Sequence, residues 1–582
     1  MLRTLMPRTS RAPFFTSACL LVLAVATTSG CTSPTKAGKN PESAAIDTHS
    51  AEPNSTAASA ATTTTTTTTP ARAVRPVETF DAVWTTVRDS HFDKTLNGVD
   101  WIAVREELRP QAINAASQDE LRAVLLDMLS RLGQSHFTIL PGDVAEASPT
   151  VQTTREQVRA PETDIASAAA NAPAASAKSA VSSSADTSDA NANAPASAEE
   201  TAEPVAPALR GPGYSGLDIA LVEGETTVLR VAPDSPAAAA GILPGWTIIA
   251  VDGTRLADAL RGLRESLARE SDANSPHTRQ LRTELAVAGA ALVEGQAGAT
   301  RTLTFATADG ERDVALTFSA PPLGAQEFGN LPPLPISVGS RVVEIAAPTK
   351  PIRIGVIDFN IWLTGASASI DRAVDALRSC DGIVIDLRGN PGGLGAMSMG
   401  VAGHFLAEPA SLGSMIGRDT TLEFKATPRK VSTAGKRVRP YSKPLAILVD
   451  ARSASTSEVF AGGLQDLGRA RVFGETSAGM ALPAQAIELP NGDVLMHAVA
   501  DFVTSKGTRM EGRGVIPDEV AVPTRAELLA GNDAALLAAT NWISGRTIAA
   551  REAKNAASPA PAAVEAASVP TLAPTTAPDN RE

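Results

Sequence analysis

The low-complexity sequence that interrupts this chain restricts its fold more than any other feature. Residues 145–208 are rich in Ala, Ser, Asn and Pro and have almost no large apolar side chains. Such a segment buries too little apolar surface to offset the entropy lost on ordering, so we predict it to be disordered. Residues 32–72, with eight consecutive threonines, and residues 553–582 are similar. The parts of the chain that can fold are therefore residues 73–144, 209–325 and 340–552.

The first 31 residues have the composition of a targeting segment. Three arginines precede the apolar run PFFTSACLLVLAVA, which is short for a membrane span and indicates a signal peptide. The run leads into TTSGC, and small residues before Cys31 resemble the lipobox of bacterial lipoproteins, which implies a lipidated cysteine. The alternative is an ordinary secretory signal cleaved nearby. We expect a periplasmic protein of the bacterial cell envelope, attached to the membrane by a lipid at its N-terminus.

Charge and metal-ligand content exclude several classes of function. The net charge of −12 and the lack of a Lys/Arg block argue against a nucleic-acid partner. The three cysteines, Cys19, Cys31 and Cys380, cannot build a disulfide framework or a zinc site. Five of the six histidines show no metal-ligand spacing: His49, His91, His277, His404 and His497. We therefore expect neither a metal nor a cofactor.

The first foldable part has helical periodicity. Phe80, Val83, Trp84 and Val87 share one face of a predicted helix. A second helix is predicted to open with a capping box at Ser117–Glu120, to bury Leu121, Val124, Leu125, Met128 and Leu132, and to end at Gly133. The segment QSHFTIL follows directly, so His136 is expected near a rigid helix end.

The middle part has the pattern of a β-rich domain. The alternating stretch TTVLRVA precedes SPAAAAGILPGW and a VDG turn, and together they resemble a bacterial PDZ domain over residues 209–325. PDZ domains add an extended peptide as a strand and receive its terminal carboxylate on loop N–H groups. The resemblance assigns that loop to GYSGL, which comprises Gly213, Tyr214, Ser215, Gly216 and Leu217.

The last foldable part alternates strands and helices. IRIGVIDF, GIVIDLRG and PLAILVD are continuous apolar runs, typical of strands that helices cover on both faces. PLAILVD leads into RSASTSEVFAGG, a strand–turn–helix arrangement that exposes a nucleophile in other α/β enzymes. The alternative is structural, because Ser455-Thr456-Ser457-Glu458 also fits a capping box.

The motifs GIVIDLRGNPGG and DARSASTSEVFAGG, with GETSAGM downstream, resemble the S41 peptidases, which include C-terminal processing proteases and tricorn-like enzymes. The resemblance implies a multidomain α/β protein with an N-terminal helical region, a PDZ domain, a ClpP/crotonase-like core and long disordered linkers. It also assigns the nucleophile to Ser455. One branch of the family uses a Ser–Lys dyad, but Met480 occupies the lysine's place here, and Lys506 does not align.

The tricorn-like branch implies a different catalytic set. His136 in LGQSHF matches its base, Ser135 the bridging hydroxyl, and Glu511 in EGRGVIPD the orienting carboxylate. The backbone N–H groups of Gly392 and Thr456 are the implied oxyanion donors. Each residue also has a plain structural alternative: a loop histidine, a turn serine, a surface carboxylate and a tight-turn glycine.

The motifs predict a serine endopeptidase that cleaves polypeptides through an acyl-enzyme, while the PDZ domain binds C-terminal or extended segments of the substrate. Two alternatives remain: an inactive peptide-binding lipoprotein of S41 type, and a PDZ adaptor. A hydrogen bond between His136 and Ser455 would favour the enzyme.

Overall fold

The computed structural model describes residues 75–142, 212–272, 275–328 and 331–556. The predicted signal segment with Cys31, the tether at 32–72, the insert at 145–208 and most of the predicted tail lie outside these residues. No helix in the described ranges is long and apolar enough to span a membrane.

The N-terminal part is a group of three helices, α1 (Pro76–Ser90), α2 (Trp101–Ile113) and α3 (Gln118–Ser130). The predicted faces are buried except for Val124, which is partly exposed. Ser117 caps α3 by accepting the N–H of Glu120, but the Glu120 carboxylate reaches back to Ala116 instead of Ser117. Gly133 ends this element with a positive φ of 61°. The short strand β1 (Thr138–Leu140) then leads away from the helices.

The middle part is a six-stranded sheet, in which five strands follow the order β2-β3-β4-β6-β7 and β5 pairs with β4. The strands are β2 (Leu217–Val222), β3 (Glu225–Val231), β4 (Thr247–Val251), β5 (Thr254–Arg255), β6 (Thr300–Thr307) and β7 (Gly310–Thr317). Its helices are α4 (Pro236–Ala239), α5 (Leu256–Ala259), α6 (Arg261–Ala268) and α7 (Pro276–Val293). Within this sheet β2 is an edge strand, and α7 packs beside it.

A six-stranded sheet in the order β10-β11-β12-β15-β16-β20 forms the centre of the C-terminal part. All neighbours are parallel except β10 and β11. The strands are β10 (Val338–Ile345), β11 (Ile352–Phe359), β12 (Gly382–Asp386), β15 (Leu445–Val449), β16 (Arg471–Gly474) and β20 (Glu519–Val520). The predicted apolar runs coincide with β11, β12 and β15.

Helices cover both faces of this sheet, as the continuous apolar strands predict. One face packs on α8 (Thr364–Leu377), α9 (Gly395–Ala402) and α10 (Thr456–Asp466). The other packs on α12 (Ala534–Ala556), which follows α11 (Arg525–Leu529). The mixed α/β fold is therefore confirmed.

Three smaller sheets complete the described structure. One pairs β8 (Ala325–Phe328) with β9 (Leu331–Pro335). A second has the order β14-β13-β19, formed by β13 (Ala410–Gly417), β14 (Thr421–Ala426) and β19 (Ala500–Thr504). The third joins β1 to β18 (Val494–Ala498) and β17 (Ala484–Glu488). This last sheet attaches the N-terminal helices to the C-terminal part beside residue His136.

Candidate active site

Ser455 lies in the tight turn between β15 and α10, at the carboxyl edge of the central sheet. Its backbone has φ 55° and ψ −118°, a conformation that residues other than glycine rarely adopt. The side chain is fully buried, and its Oγ has no hydrogen-bond partner in the described part of the chain. A strained residue with a buried, unpaired hydroxyl is unusual for a structural serine.

The neighbouring hydroxyls of the same segment are all paired. Ser453 Oγ donates to the carbonyl oxygen of Leu387 at 2.8 Å. Thr456 Oγ1 donates to Gly393 O at 2.8 Å, and Ser457 Oγ donates to Asn390 O at 3.0 Å. Three of the four hydroxyls in RSASTS therefore fasten this turn to the segment after β12, and Ser455 is the exception.

Glu458 accounts for the capping-box alternative. Its Oε2 accepts the N–H of Ser455 at 3.0 Å, so the glutamate side of the capping box forms. The Ser455 side does not, because its Oγ accepts no N–H group. The carboxylate also accepts from Ser477 Oγ at 2.6 Å, Gly479 N at 2.7 Å and Met480 N at 3.0 Å. Burial raises the pKa of Glu458 to about 7, despite these four donors.

The segment that carries Met480 lies directly against the nucleophile turn. Met480 O accepts the N–H of Ser455 at 2.9 Å. The next residue, Ala481, donates its N–H to Glu511 Oε2 at 3.1 Å. This short segment therefore contacts Ser455 on one side and Glu511 on the other.

His136 lies at the end of a hydrogen-bonded relay. Glu511 accepts the N–H of Ser135 at 2.8 Å and its hydroxyl at 2.9 Å. The same hydroxyl oxygen lies 2.8 Å from Nδ1 of His136. The imidazole is 2% exposed. Ser135 and Glu511 are 376 residues apart in the sequence, and their contact brings His136 and Glu511 together through the Ser135 hydroxyl.

The relay fixes the tautomer of His136. An ionised carboxylate can only accept, so the single proton of the Ser135 hydroxyl goes to Glu511. Nδ1 must then donate to the Ser135 oxygen, which leaves Nε2 of the neutral ring as a proton acceptor. Burial raises the pKa of Glu511, and its three hydrogen bonds oppose that shift.

The structure does not form the hydrogen bond between His136 and Ser455 that would mark a fully assembled pair, since Ser455 Oγ is unpaired. The backbone of Ser455 is held by Glu458 and Met480, but no described residue holds its hydroxyl. Catalytic hydrogen bonds are often long before substrate binds. Proton transfer requires the two side chains to approach.

The two predicted oxyanion donors lie beside Ser455, but one of them is paired elsewhere. A Cβ on Gly392 would lie 2.7 Å from Ser455 Cβ and 3.0 Å from Thr456 N, so this glycine lies against Ser455. Its N–H, however, donates to Asn390 Oδ1 at 3.0 Å, because the side chain folds back over its own turn. Thr456 is the first residue of α10, and its N–H has no intrahelical acceptor.

Several N–H groups of the predicted carboxylate-binding loop in the middle part already donate to acceptors within the protein. The N–H groups of Gly213 and Tyr214 donate to Gly295 O and Ser319 O, both at 2.8 Å. Leu217 N donates to Ser215 Oγ at 3.1 Å. Three of the five N–H groups of GYSGL are therefore already paired. Those of Gly213 and Tyr214 are paired because the segment before β2 forms bridges with residues near β6 and β7. The N–H of Leu217 is paired within the loop itself.

The middle part also contacts the segments that carry Ser455 and Glu511. Thr283 Oγ1 on α7 donates to Ala451 O at 2.9 Å, four residues before Ser455. Arg279 on the same helix donates to Gly512 O, next to Glu511. Arg452 forms an ion pair at 2.9 Å with Asp218 of β2. The position of this sheet and the geometry of the site are thus linked.

Sequence reasoning missed Glu458 as a support of the nucleophile turn, and it missed Asn390 and Ser457. Glu458 had a visible signal, since it stands three residues after Ser455, but the signal is shared with ordinary helix caps. Among the described residues, no group of three or more His, Cys, Asp or Glu side chains is placed to hold a metal.

Comparison with known proteins gives two family matches. Residues 353–521 match the model of peptidase family S41, and residues 76–130 match the C1 domain of the tricorn protease. The resemblance to S41 peptidases is therefore confirmed for the core. The matches do not test the PDZ assignment, which stays a prediction.

Curated relatives are carboxyl-terminal-processing proteases. The protein of that name from Picosynechococcus sp. is 28% identical over 306 residues, covering 51% of this chain and 62% of the relative. The chloroplastic carboxyl-terminal-processing peptidase 2 of Arabidopsis thaliana is 27% identical over 294 residues, covering 50% of this chain and 48% of the relative. The chain thus spans about half the length of the curated relatives it matches. A solved photosystem II D1 C-terminal processing protease is 20% identical, with a TM-score of 0.43, over 79% of this chain and 98% of that one.

Proposed function

We propose that this chain, whose residues 353–521 match peptidase family S41, is a serine endopeptidase that cleaves polypeptides through an acyl-enzyme. The observation that carries the proposal is the relay from Glu511 through Ser135 to His136, which leaves Nε2 of the ring as a proton acceptor. The same carboxylate accepts the N–H of Ala481, and the carbonyl oxygen of the preceding residue, Met480, accepts the N–H of Ser455. A serine hydroxyl needs such a neutral imidazole to become a useful nucleophile.

The reaction follows from the roles of these atoms. Ser455 Oγ attacks the scissile carbonyl carbon as its proton passes to His136 Nε2. The tetrahedral intermediate then expels the amine, which takes the proton from the imidazolium, and the C–N bond breaks to leave an ester on Ser455. Water, deprotonated by the same imidazole, hydrolyses the ester. Glu511 and Ser135 are positioning residues that hold the ring and stabilise its charged form.

Charge on the carbonyl oxygen requires fixed donors. Thr456 is the first residue of α10, so its N–H belongs to the positive end of that helix, directly after Ser455. One such donor typically contributes about 2.7–4 kcal/mol to transition-state stabilisation. Gly392 has two ways to support the oxyanion. Its N–H, which donates to Asn390 Oδ1, can donate to the oxyanion as well, and its lack of a side chain leaves room beside Ser455.

A Ser–Lys dyad is not supported by this sequence. Met480 provides backbone contacts to Ser455 and Glu458, and its side chain offers no proton acceptor of useful basicity. The tricorn C1 match at residues 76–130 lies just before the segment with His136, in agreement with a base from the N-terminal part.

The middle part is proposed to bind substrate as a PDZ domain, receiving C-terminal or extended polypeptide segments along β2. Ser215 and Gly216 are then the loop residues left to meet a carboxylate. The contacts of Thr283, Arg279 and Arg452 provide a route by which peptide binding alters the site. We further propose export to the bacterial cell envelope and lipid attachment at Cys31, on the signal-like sequence before it.

The test is labelling of the full-length mature protein by a fluorophosphonate probe. We expect labelling of the wild type, loss in Ser455→Ala and His136→Ala, and retention in Lys506→Met, which removes the nearest downstream lysine of the core. Loss of labelling in Lys506→Met would indicate a dyad instead.

An inactive peptide-binding protein is the second candidate, because Ser455 Oγ makes no hydrogen bond. Absence of wild-type labelling, even with a C-terminal peptide bound, would establish that candidate and contradict the enzyme.

A further inference from the structure

The loop that carries His136 holds a strained backbone conformation. His136 itself has φ 62°, in the left-handed region that non-glycine residues seldom occupy. Such a residue persists only where its surroundings determine its position from several sides. The relay holds Ser135 through Glu511, and β1 pairs with β18 from residue 138 onward. These contacts leave the residues on either side of Ser135–His136 to be fixed by something else.

His91 contacts both of these flanking residues. It follows α1, and its ring is fully buried. Its Nε2 lies 2.9 Å from Gln134 Oε1, on the N-terminal side of Ser135. Its ring stacks on Phe137, with centroids 5.5 Å apart and an interplanar angle of 10°, on the C-terminal side of His136.

The backbone of Asp93 holds the other side of the His91 ring. Nδ1 of His91 lies 2.9 Å from Asp93 O and 3.0 Å from Asp93 N. The ring therefore has polar contacts at both nitrogens, to Asp93 through Nδ1 and to Gln134 through Nε2.

His91 is itself held in place. Phe92 stacks on the other face of the ring, with centroids 4.6 Å apart. Arg418, at the end of β13, donates to the carbonyl oxygens of Arg88 and His91, both at 3.1 Å. The ring is thus held from both sides, and the loop residues Gln134 and Phe137 pack against it.

We propose that His91 is a positioning residue for the reaction, which holds the loop of the base through Gln134 and Phe137. The inference rests on the proposed function, since it assigns a role beside the base named there. His91 does not touch the reacting atoms; it acts by keeping the strained conformation of His136 and hence the direction of its Nε2.

The test is a double-mutant cycle on peptide hydrolysis by the full-length protein. His91→Phe keeps the size and stacking of the ring and removes its hydrogen bond to Gln134. Gln134→Ala removes the same hydrogen bond. Because Gln134 is only partly buried, this substitution should destabilise the fold less than one at the fully buried His91. We expect each to lower kcat about tenfold with KM within twofold, and the double variant to be no worse than either single one.

A matched control is His404→Gln. His404 is an equally buried histidine whose Nε2 bonds to Asp371 on α8 at 2.8 Å, away from the loop. We expect it to lower the unfolding midpoint and to leave kcat unchanged. Equal losses of kcat in His404→Gln and His91→Phe, or additive effects of His91→Phe and Gln134→Ala, would overturn the proposal.

Amide hydrogen exchange gives a readout independent of catalysis. Exchange in residues 134–138 should be faster in His91→Phe than in the wild type, and unchanged in His404→Gln. An inactive wild type with this exchange pattern would refute the proposed function but not the positioning role of His91. An active wild type with unchanged exchange and unchanged kcat in His91→Phe would refute the positioning role alone.

Discussion

Replacing Glu458 by glutamine tests how the nucleophile turn is held. The carboxylate accepts four hydrogen bonds, two on each oxygen: Ser455 N and Met480 N on one, Ser477 Oγ and Gly479 N on the other. A glutamine has the same shape but only one acceptor oxygen. Its NH₂ group must face one of the two donor pairs.

The expected magnitude follows from this count. If the amide oxygen keeps Ser455 and Met480, the Ser477 hydroxyl can turn to accept from the NH₂ group, but Gly479 N–H is left unpaired, at a cost of about 1–3 kcal/mol. Against that, the pKa of Glu458 is raised from 4.5 to about 7, so its environment disfavours the charge by about 3 kcal/mol at high pH. The two terms nearly cancel. We expect the free energy of unfolding to change by less than about 2 kcal/mol at pH 8.

Activity should respond much more strongly than stability. The segment at Gly479–Met480 would move relative to Ser455, and misplacement of reacting groups by about 1 Å can cost about 10²-fold in rate. We therefore expect kcat to fall about 10²-fold in Glu458→Gln, measured on a peptide substrate, with urea denaturation of the same samples.

The pH dependence gives a second check of the same reasoning. A raised folded-state pKa contributes stability that is fully present below pH 4.5 and is lost as pH rises through about 7. Wild type should therefore gain about 3 kcal/mol relative to Glu458→Gln between pH 8 and pH 4.5. A kcat within threefold of wild type, or a stability difference independent of pH, would refute the argument.

Other substitutions test the glycine beside Ser455, the hydroxyl of the relay and a buried histidine on β18. Gly392→Ala places a Cβ 2.7 Å from that of Ser455 at φ 104°; it should abolish fluorophosphonate labelling and cost about 1–3 kcal/mol in urea denaturation, whereas Gly400→Ala, with nothing within 4 Å, should do neither. Equal labelling of the two variants would contradict the close approach. Ser135→Ala should lower kcat by at least about 10² while Ser135→Thr restores most of it, and an unchanged kcat in the alanine variant would show that the relay is not used. Burial lowers the pKa of His497 to about 4, so its neutral ring stabilises the fold above pH 6.5, and up to about 3 kcal/mol of unfolding free energy should be lost as pH falls from 6.5 to about 4. Urea denaturation of His497→Gln should lack this loss, and an identical pH profile in the variant would exclude His497 as its source.

The central sheet was predictable because its signal is local. Each apolar run must be buried on both faces, and alternate residues of β11 pack on opposite helix layers, Ile357 and Phe359 on one side and Ile354 and Val356 on the other. The same holds for the α1 and α3 faces. Such patterns need no knowledge of the partner.

The details of the site were less predictable because they depend on which groups meet across the chain. The motif indicated Gly392 as an oxyanion donor, but the competing acceptor, Asn390 Oδ1, is found only in the folded turn. Likewise, four adjacent hydroxyls look equivalent in sequence, and only the carbonyls after β12 distinguish three of them from Ser455. Similarly, the acceptors of the Gly213 and Tyr214 N–H groups, Gly295 O and Ser319 O, are far away in the sequence and meet them only in the folded chain.

The contact between Ser135 and Glu511 has a consequence for biosynthesis. Its two partners are 376 residues apart, with the whole middle sheet encoded between them. Contacts of such long range form late and slowly, after the loop between them has closed. A nascent or still-translocating chain carries the base without its orienting carboxylate and without its nucleophile. If the chain is a peptidase, the order of its sequence delays hydrolytic competence until the chain has been made as far as Glu511, so polypeptides that emerge beside it do not meet a complete site before then.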